Sequence, residues 1–350
     1  MMKWYLLIFP LIVWAASIEE QVGSLFVIPI CPKRGEDHIQ DVERVIREYH
    51  IRAVIVKQAT PEEQLKMLQR LGPGLFVFQD AEWGLGMRMD GDVISFPKNG
   101  FLKSEELIYR IGKEIARELR IIGCHVNLSP VADVNSNPKN MIIGMRSFGS
   151  NPHHVAACSV AMMKGLQEGG IMACGKHFPG HGDVEIDSHL ALPTVYKTKS
   201  ELYEAELIPF QALIDAGVCA IMTAHLNTPY IDPIQVLREE LGFKGLVISD
   251  AMNMGGVIYS PEEAAILYLK SGHDLLLYGD HIAPNVDHIL HEMVPRAYKA
   301  VVDAVKRGEI VIEDKLERIE AAKALWLHPK EEGELNTVEA RLLKEEREPL

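Results

Sequence analysis

The chain has 350 residues, 47% hydrophobic and 24% charged, with a formal net charge of −13, enough for one large α/β domain or two smaller ones. No long run of Lys and Arg offsets the acidic balance, which excludes nucleic acid and an anionic membrane surface as main partners and points to a small or neutral molecule. The five cysteines, Cys31, Cys124, Cys158, Cys174 and Cys219, are widely spaced without a C-x-x-C pair, so they read as buried thiols and not as a disulfide framework or zinc site.

Residues 1–17, MMKWYLLIFPLIVWAAS, carry Lys3, an apolar run of signal-peptide length and small residues at Ala15, Ala16 and Ser17, whereas a spanning helix needs about 20 apolar residues. The expectation is a signal peptide and a periplasmic or secreted protein. Trp14 spoils the A-x-A cleavage pattern, so an uncleaved N-terminal anchor or a first buried strand stays open, with a cytoplasmic location as the alternative.

From there short apolar runs recur: LFVIPI (25–30), RAVIVK (52–57), LFVFQD (75–80), HVNLSP (125–130), GIMACGKH (170–177), VCAIMTAH (218–225), LVISDAM (246–252) and HDLLLYG (273–279). Unbroken rather than alternating hydrophobicity is what parallel strands covered on both faces require. The segments between, PEEQLKMLQRL and SEELIYRIGKEIARELRIIG among them, have helical periodicity and acidic starts. Eight such runs predict a (β/α)8 TIM-type barrel in a single domain, residues 18–328. A doubly wound open sheet gives similar alternation, but the first junction, PICPKRGEDH, lacks the G-x-G-x-x-G fingerprint of a dinucleotide site. Residues 329–350 read as a charged C-terminal tail, solvated or lying on the barrel as a helix, with no catalytic role.

In such a barrel the chemistry belongs at the C-terminal ends of the strands. There the sequence puts Asp80, Lys176 and His177, His225, and Ser249 and Asp250. One strand-end aspartate is more often a helix N-cap, but several charged ends on one face favour a site. After the fifth run, GKHFPGHGDVEIDSH (175–189) adds His181 and His189 to His177. It has no H-E-x-x-H or other helical metal spacing, and its Pro and Gly disfavour a ligand cluster, so no metal is predicted.

GKHFPGHGDVEIDSH resembles the signature of family 3 glycoside hydrolases, in particular the single-domain bacterial β-N-acetylhexosaminidases of peptidoglycan recycling. FQDAEWGLGMR (78–88), LSPVADVNSNP (128–138), GMRSFGSNP (144–152), MTAHLNTPYID (222–232) and GFKGLVISDAMNMGGV (242–257) fall in that family's order, so the likeness spans roughly residues 18–325. It implies a β/α barrel, a retaining mechanism, no cofactor, and a carbohydrate substrate such as an N-acetylglucosaminide or muropeptide. It puts the nucleophile on Asp250, the general acid/base on His189, its partner on Asp187, and sugar binding on Asp80, Arg88, Arg146, Lys176 and His177. Where many members read D-Q-E-G-G-R, this chain reads DAEWGLGMR. The separation of Asp80 and Arg88 is kept, while Trp83 and Leu85 replace small or basic residues and alter the pocket wall.

The chemistry fits these residue types. Retention needs a carboxylate beneath the anomeric carbon and a group that protonates the leaving oxygen and later deprotonates water. A histidine titrates near neutrality and can do both, with a carboxylate fixing its tautomer. Pro179, Gly180 and Gly182 turn the chain so that a flap can bring His189 over bound sugar. Plainer readings stand beside these: His181 as structural, Arg146 as a surface ion pair, Trp83 as core or as a sugar platform, His153 and His154 as surface groups at a helix start, and His225 as a neighbour of Asp250 that does not touch substrate.

Removal of terminal β-linked N-acetylglucosamine from peptidoglycan fragments or related glycans is the leading expectation. Phosphorolysis with the same residues is an alternative, because a neutral histidine would not repel phosphate, and so is β-glucosidase activity. A non-enzymatic sugar-binding barrel is disfavoured by the retention of Asp187, His189 and Asp250 together. No stable protein partner is expected.

Overall fold

In the computed structural model, which describes residues 16–279 and 286–346, each of the eight apolar runs contains a strand. They are β1 (Phe26–Ile30), β2 (Ala53–Val56), β3 (Phe76–Gln79), β4 (Val126–Asn127), β5 (Met172–Phe178), β6 (Ala220–Thr223), β7 (Leu246–Ser249) and β8 (Leu276–Leu277). Every residue in them is buried, because one face fills the barrel and the other lies under helices. This is why the runs are continuously apolar. The expected signal peptide or anchor, residues 1–17, lies outside the described residues apart from Ala16 and Ser17.

The strands pair in parallel in the order β8-β1-β2-β3-β4-β5-β6-β7. A parallel bridge between Ile248 and Leu275 joins the two ends, reinforced by Ser249 N–H donating to Leu275 O at 3.0 Å and Leu277 N–H donating to Ser249 Oγ at 3.0 Å. The chain is therefore a (β/α)8 barrel, and the doubly wound alternative is excluded by the consecutive strand order.

Helices flank the strands as predicted. PEEQLKMLQRL is the helix Pro61–Leu71, started by Pro61 and by a reciprocal cap in which Glu63 N–H donates to Thr60 Oγ1 and Thr60 N–H to Glu63. The next, Glu105–Ile121, is capped by Ser104 and buries Ile108, Ile111, Ile115 and Leu119 on one side. None of the five cysteines is in a disulfide, and four of them are buried. Beyond Trp326 the described chain, up to residue 346, stays against the barrel. It runs back along Glu105–Ile121, with Glu331 N–H donating to Arg120 O at 3.1 Å and Arg117 Nη1 to Glu334 O at 2.8 Å. It then forms a helix, Val338–Glu345, that buries Ala340 and Leu343.

Candidate active site

The C-terminal ends of the strands surround a cavity of about 230 Å³ lined by Lys57, Asp80, Glu82, Trp83, Arg88, Arg146, Lys176, His177, His189 and Asp250, among others. Wider clefts of about 490 and 950 Å³ open at the opposite end of the barrel, where no described buried acid, lysine or arginine lines them. Of the residues singled out for catalysis or sugar binding, Asp80, Arg88, Arg146, Lys176, His177, His189 and Asp250 meet at this one cavity, and Asp187 stands behind His189. Trp83 is on the wall, not in the core.

Two buried carboxylates anchor the floor. Asp80 accepts from Lys57 Nζ at 2.7 Å, Lys176 Nζ at 3.1 Å and Arg88 Nη2 at 3.4 Å. Glu82 accepts from both Nε and Nη2 of Arg146, at 3.0 and 2.8 Å, and pairs with Lys176 at 2.8 Å. Burial alone would raise both acids, but Lys57, Lys176 and Arg88 around Asp80, and Arg146 and Lys176 around Glu82, hold them well below the usual carboxylate range. Burial also works against the Lys176 ammonium, yet Glu82 and Asp80 raise it above its ordinary value. The result is a lattice of paired charges lining the cavity. Arg146 is thus a half-buried clamp on a fully buried carboxylate and not a surface pair.

His177 is oriented from behind. Fully buried Asp133 lies 2.7 Å from His177 Nδ1 and accepts the His181 backbone N–H at 2.7 Å, while His177 Nε2 lies 3.4 Å from Arg146 Nη2. His181 is structural: it is buried, and its Nε2 is 2.9 Å from Ser188 Oγ. Gly182 follows because a Cβ there would stand 1.8 Å from Val134 O. Together these contacts fasten both ends of the segment that carries Asp187.

Asp187 Oδ1 accepts the His189 backbone N–H at 2.9 Å and lies 2.6 Å from His189 Nδ1. Burial would raise Asp187, but these two N–H groups lower it, so an ionised carboxylate keeps the proton on His189 Nδ1. The loop docks on the segment after β7, where Gly255 N–H donates to His189 O and Gly256 N–H to Ser188 O, both at 2.9 Å. A Cβ on Gly255 would lie 2.6 Å from Leu190 O.

Asp250 closes β7, its backbone N–H donating to Thr223 O at 3.0 Å and its Oδ1 accepting Ala251 N–H at 2.7 Å. Burial opposes its ionisation, but His177, His225, the Ala251 N–H and Lys176 prevail and bring it down to about 2. His225 is buried, with Nε2 3.0 Å from Ala251 O and Nδ1 2.6 Å from Tyr268 Oη, and does not line the cavity. It braces the turn that carries Asp250.

Three functional positions went unnamed in the sequence reading: Lys57, Glu82 and Asp133. Lys57 ends the second apolar run as Asp80 ends the third, so the strand-end rule reaches it. Glu82 lies two residues beyond Asp80, the spacing that returns a side chain to the same side of extended backbone. Asp133 follows β4 by six residues along an irregular loop, and no local pattern points to it.

Residues 17–322 match the family described as Glycosyl hydrolase family 3 N terminal domain. The chain belongs to that family. It is 38% identical over 192 residues to a Beta-hexosaminidase of Neisseria meningitidis serogroup B, a match covering 51% of this chain and 53% of that protein. It is 35% identical over 208 residues to Beta-hexosaminidase A of Pseudoalteromonas piscicida, covering 52% of this chain and 34% of that one. The chain thus spans about half the length, or less, of these curated relatives. Among solved structures, a glycoside hydrolase family 3 beta-N-acetylglucosaminidase from Paenibacillus sp. str. FPU-7 superposes with a TM-score of 0.83 at 31% identity, covering 95% of this chain and 68% of that chain.

Proposed function

We propose that this family 3 protein is a retaining glycosidase that releases terminal β-linked N-acetylglucosamine from peptidoglycan fragments or related glycans. The observation that carries this reading is the sharing of one cavity by an ionised Asp250 and the Asp187–His189 pair, above the lattice of Asp80, Glu82, Arg88, Arg146 and Lys176. The names of the relatives support the sugar.

In the proposed reaction the lattice and His177 hold the sugar hydroxyls. Asp250 Oδ1 is engaged by Ala251 N–H, so Oδ2 attacks the anomeric carbon, while protonated His189 gives its Nε2 proton to the departing oxygen. The carbon–oxygen bond to the leaving group breaks as the bond to Asp250 forms. His189, now neutral, takes a proton from water, whose oxygen displaces Asp250 from the same face, restoring both residues and retaining configuration. Asp187 stabilises the imidazolium at each stage.

The test is release of 4-nitrophenol from its β-N-acetylglucosaminide and its β-glucoside, with and without phosphate, beside Asp250→Asn. Activity on the first substrate alone, indifferent to phosphate and reduced at least about a thousandfold in the variant, is expected. A requirement for phosphate would make the protein a phosphorylase, preference for the glucoside would replace the sugar assignment, and full activity in the variant would remove Asp250 from the mechanism.

A further inference from the structure

The catalytic cavity does not end at its charged floor. A second cavity of about 180 Å³ adjoins it, with Lys57, Met87 and Arg88 lining both, and is completed by Lys33, Gln58 and Asp90 among others. Backbone hydrogen bonds build its rim on the segment that follows Lys57: Lys33 N–H donates to Gln58 O at 3.3 Å and Asp90 N–H to Ala59 O at 3.0 Å. The side chains of Lys33 and Asp90 pair at 2.5 Å and are both more than half exposed, so at the mouth the charges answer each other.

Further in they do not. Lys176 has two acids, Asp80 and Glu82, which raise its ammonium above the ordinary value. Among the described residues Lys57 and Arg88 pair only with Asp80, which they share with Lys176. Burial, joined by the charges of Arg88 and Lys176, outweighs Asp80 and lowers the Lys57 ammonium. Arg88 Nε is buried without a hydrogen-bond partner among the described residues, and Arg88 Nη2 reaches Asp80 only at 3.4 Å. Where the two cavities meet, positive charge is therefore short of an acid, and the occupant that would satisfy it is an anion.

This corner faces the far edge of the sugar. On the glycosidase reading, which this inference rests on, C1 stands at Asp250 at the end of β7, and the strand order puts β2 and β3, which lead into Lys57 and Asp80, across the barrel from β7. In a pyranose C4 lies opposite C1, and C6 stands out from the ring beside it, so a group on O6 has the reach to arrive between Lys57 and Arg88. We infer that the second cavity accepts an oxyanion, a sulfate or phosphate ester on the 6-hydroxyl of the terminal N-acetylglucosamine, held by Lys57 and Arg88 with Lys33 at its mouth.

4-Nitrophenyl β-N-acetylglucosaminide, its 6-sulfate and its 6-phosphate share one leaving group, so release of 4-nitrophenol by the full chain compares the sugars alone. At least one ester should exceed the parent in kcat/KM by about tenfold or more, chiefly through KM, which one or two charge-assisted hydrogen bonds suffice to supply. The ester that gains more identifies the group. Lys33 and Asp90 line the second cavity and not the catalytic one, and an exposed ion pair adds little to stability, so Lys33→Met and Asp90→Asn should turn over the parent within about twofold of wild type. Lys33→Met leaves Asp90 unpaired beside the ester and should lower the ester-to-parent ratio at least about fivefold, whereas Asp90→Asn removes an opposing charge and should raise it. Esters no better than the parent, with full activity on the parent, overturn the inference and leave the glycosidase reading intact. So does a ratio unchanged in both variants at equal thermal midpoints, which would put the ester outside the second cavity. Inactivity on all three substrates removes the glycosidase reading and this inference with it.

Discussion

Lys57 shows how a single residue sets the floor of the site. Its ammonium gives Asp80 its shortest contact, 2.7 Å, while Arg88 stands at 3.4 Å. Lys57→Met would leave Asp80 with Lys176 and Arg88, so the carboxylate stays ionised but loses its fixed orientation. The expected outcome is a KM for 4-nitrophenyl β-N-acetylglucosaminide raised about tenfold with a smaller change in kcat, since sugar holding acts in ground and transition states alike. A loss confined to kcat would contradict it. Asp187→Asn tests the other side of the cavity. The amide fits the same space but cannot stabilise an imidazolium, so kcat should drop by roughly 100-fold or more with KM little altered, and an unaffected kcat would remove Asp187 from the mechanism. Asp80, Lys176, His177, Asp187, His189 and Asp250 were all legible, as strand ends or as part of one motif. Asp133 was not, because it acts through a contact from an irregular loop that no spacing encodes, whereas Glu82 stood within reach of the strand-end rule, two residues beyond Asp80.

Among elements, the strands and the helices Pro61–Leu71 and Glu105–Ile121 were legible because their periodicity is dictated by burial on known faces. The segment after Trp326 was harder, since only Ala340 and Leu343 of its helix are buried among many charges. That strap matters to the helix beneath it. Glu118 is fully buried there, and burial, then the charge of Glu114, push its carboxyl up to about 7 against the opposing backbone N–H of Asn336. In the unfolded chain it titrates near 4.5. Between those values the unfolded state has released a proton that the folded state still holds, so stability falls as pH rises, with the loss complete above about 7. Glu118→Gln abolishes this term. Urea unfolding should find the variant and wild type similar near pH 4.5 and the variant more stable by up to about 3 kcal/mol at pH 8. An equal difference at both pH values would mean that Glu118 does not titrate in this way.

Over the whole molecule, the barrel separates what holds it together from what it does. The strand order follows the sequence one element at a time, which is why the fold could be counted from eight runs, whereas the closure between β7 and β8 adds side-chain ties to its backbone bridge. Asp274, completely buried ahead of β8, accepts from Arg238 at 2.7 Å, Arg318 at 2.9 Å and the Val247 backbone N–H at 2.8 Å. It ties β7, the helical segment Val236–Glu240 before it and the helix Glu313–Trp326 into one corner at the N-terminal end, away from the cavity. Removing this buried anion leaves Arg238 with only the Phe243 and Gly245 carbonyls and Arg318 with only Asp314, and Asp274→Ala should cost about 3 kcal/mol in urea unfolding. Because Asp250 and the His189 loop are held by separate contacts with Thr223, Ala251, Gly255 and Gly256 at the other end, kcat/KM of the folded variant should stay within about twofold of wild type. If activity falls in step with stability, the corner and the site move together, and the two ends of the barrel are not independent.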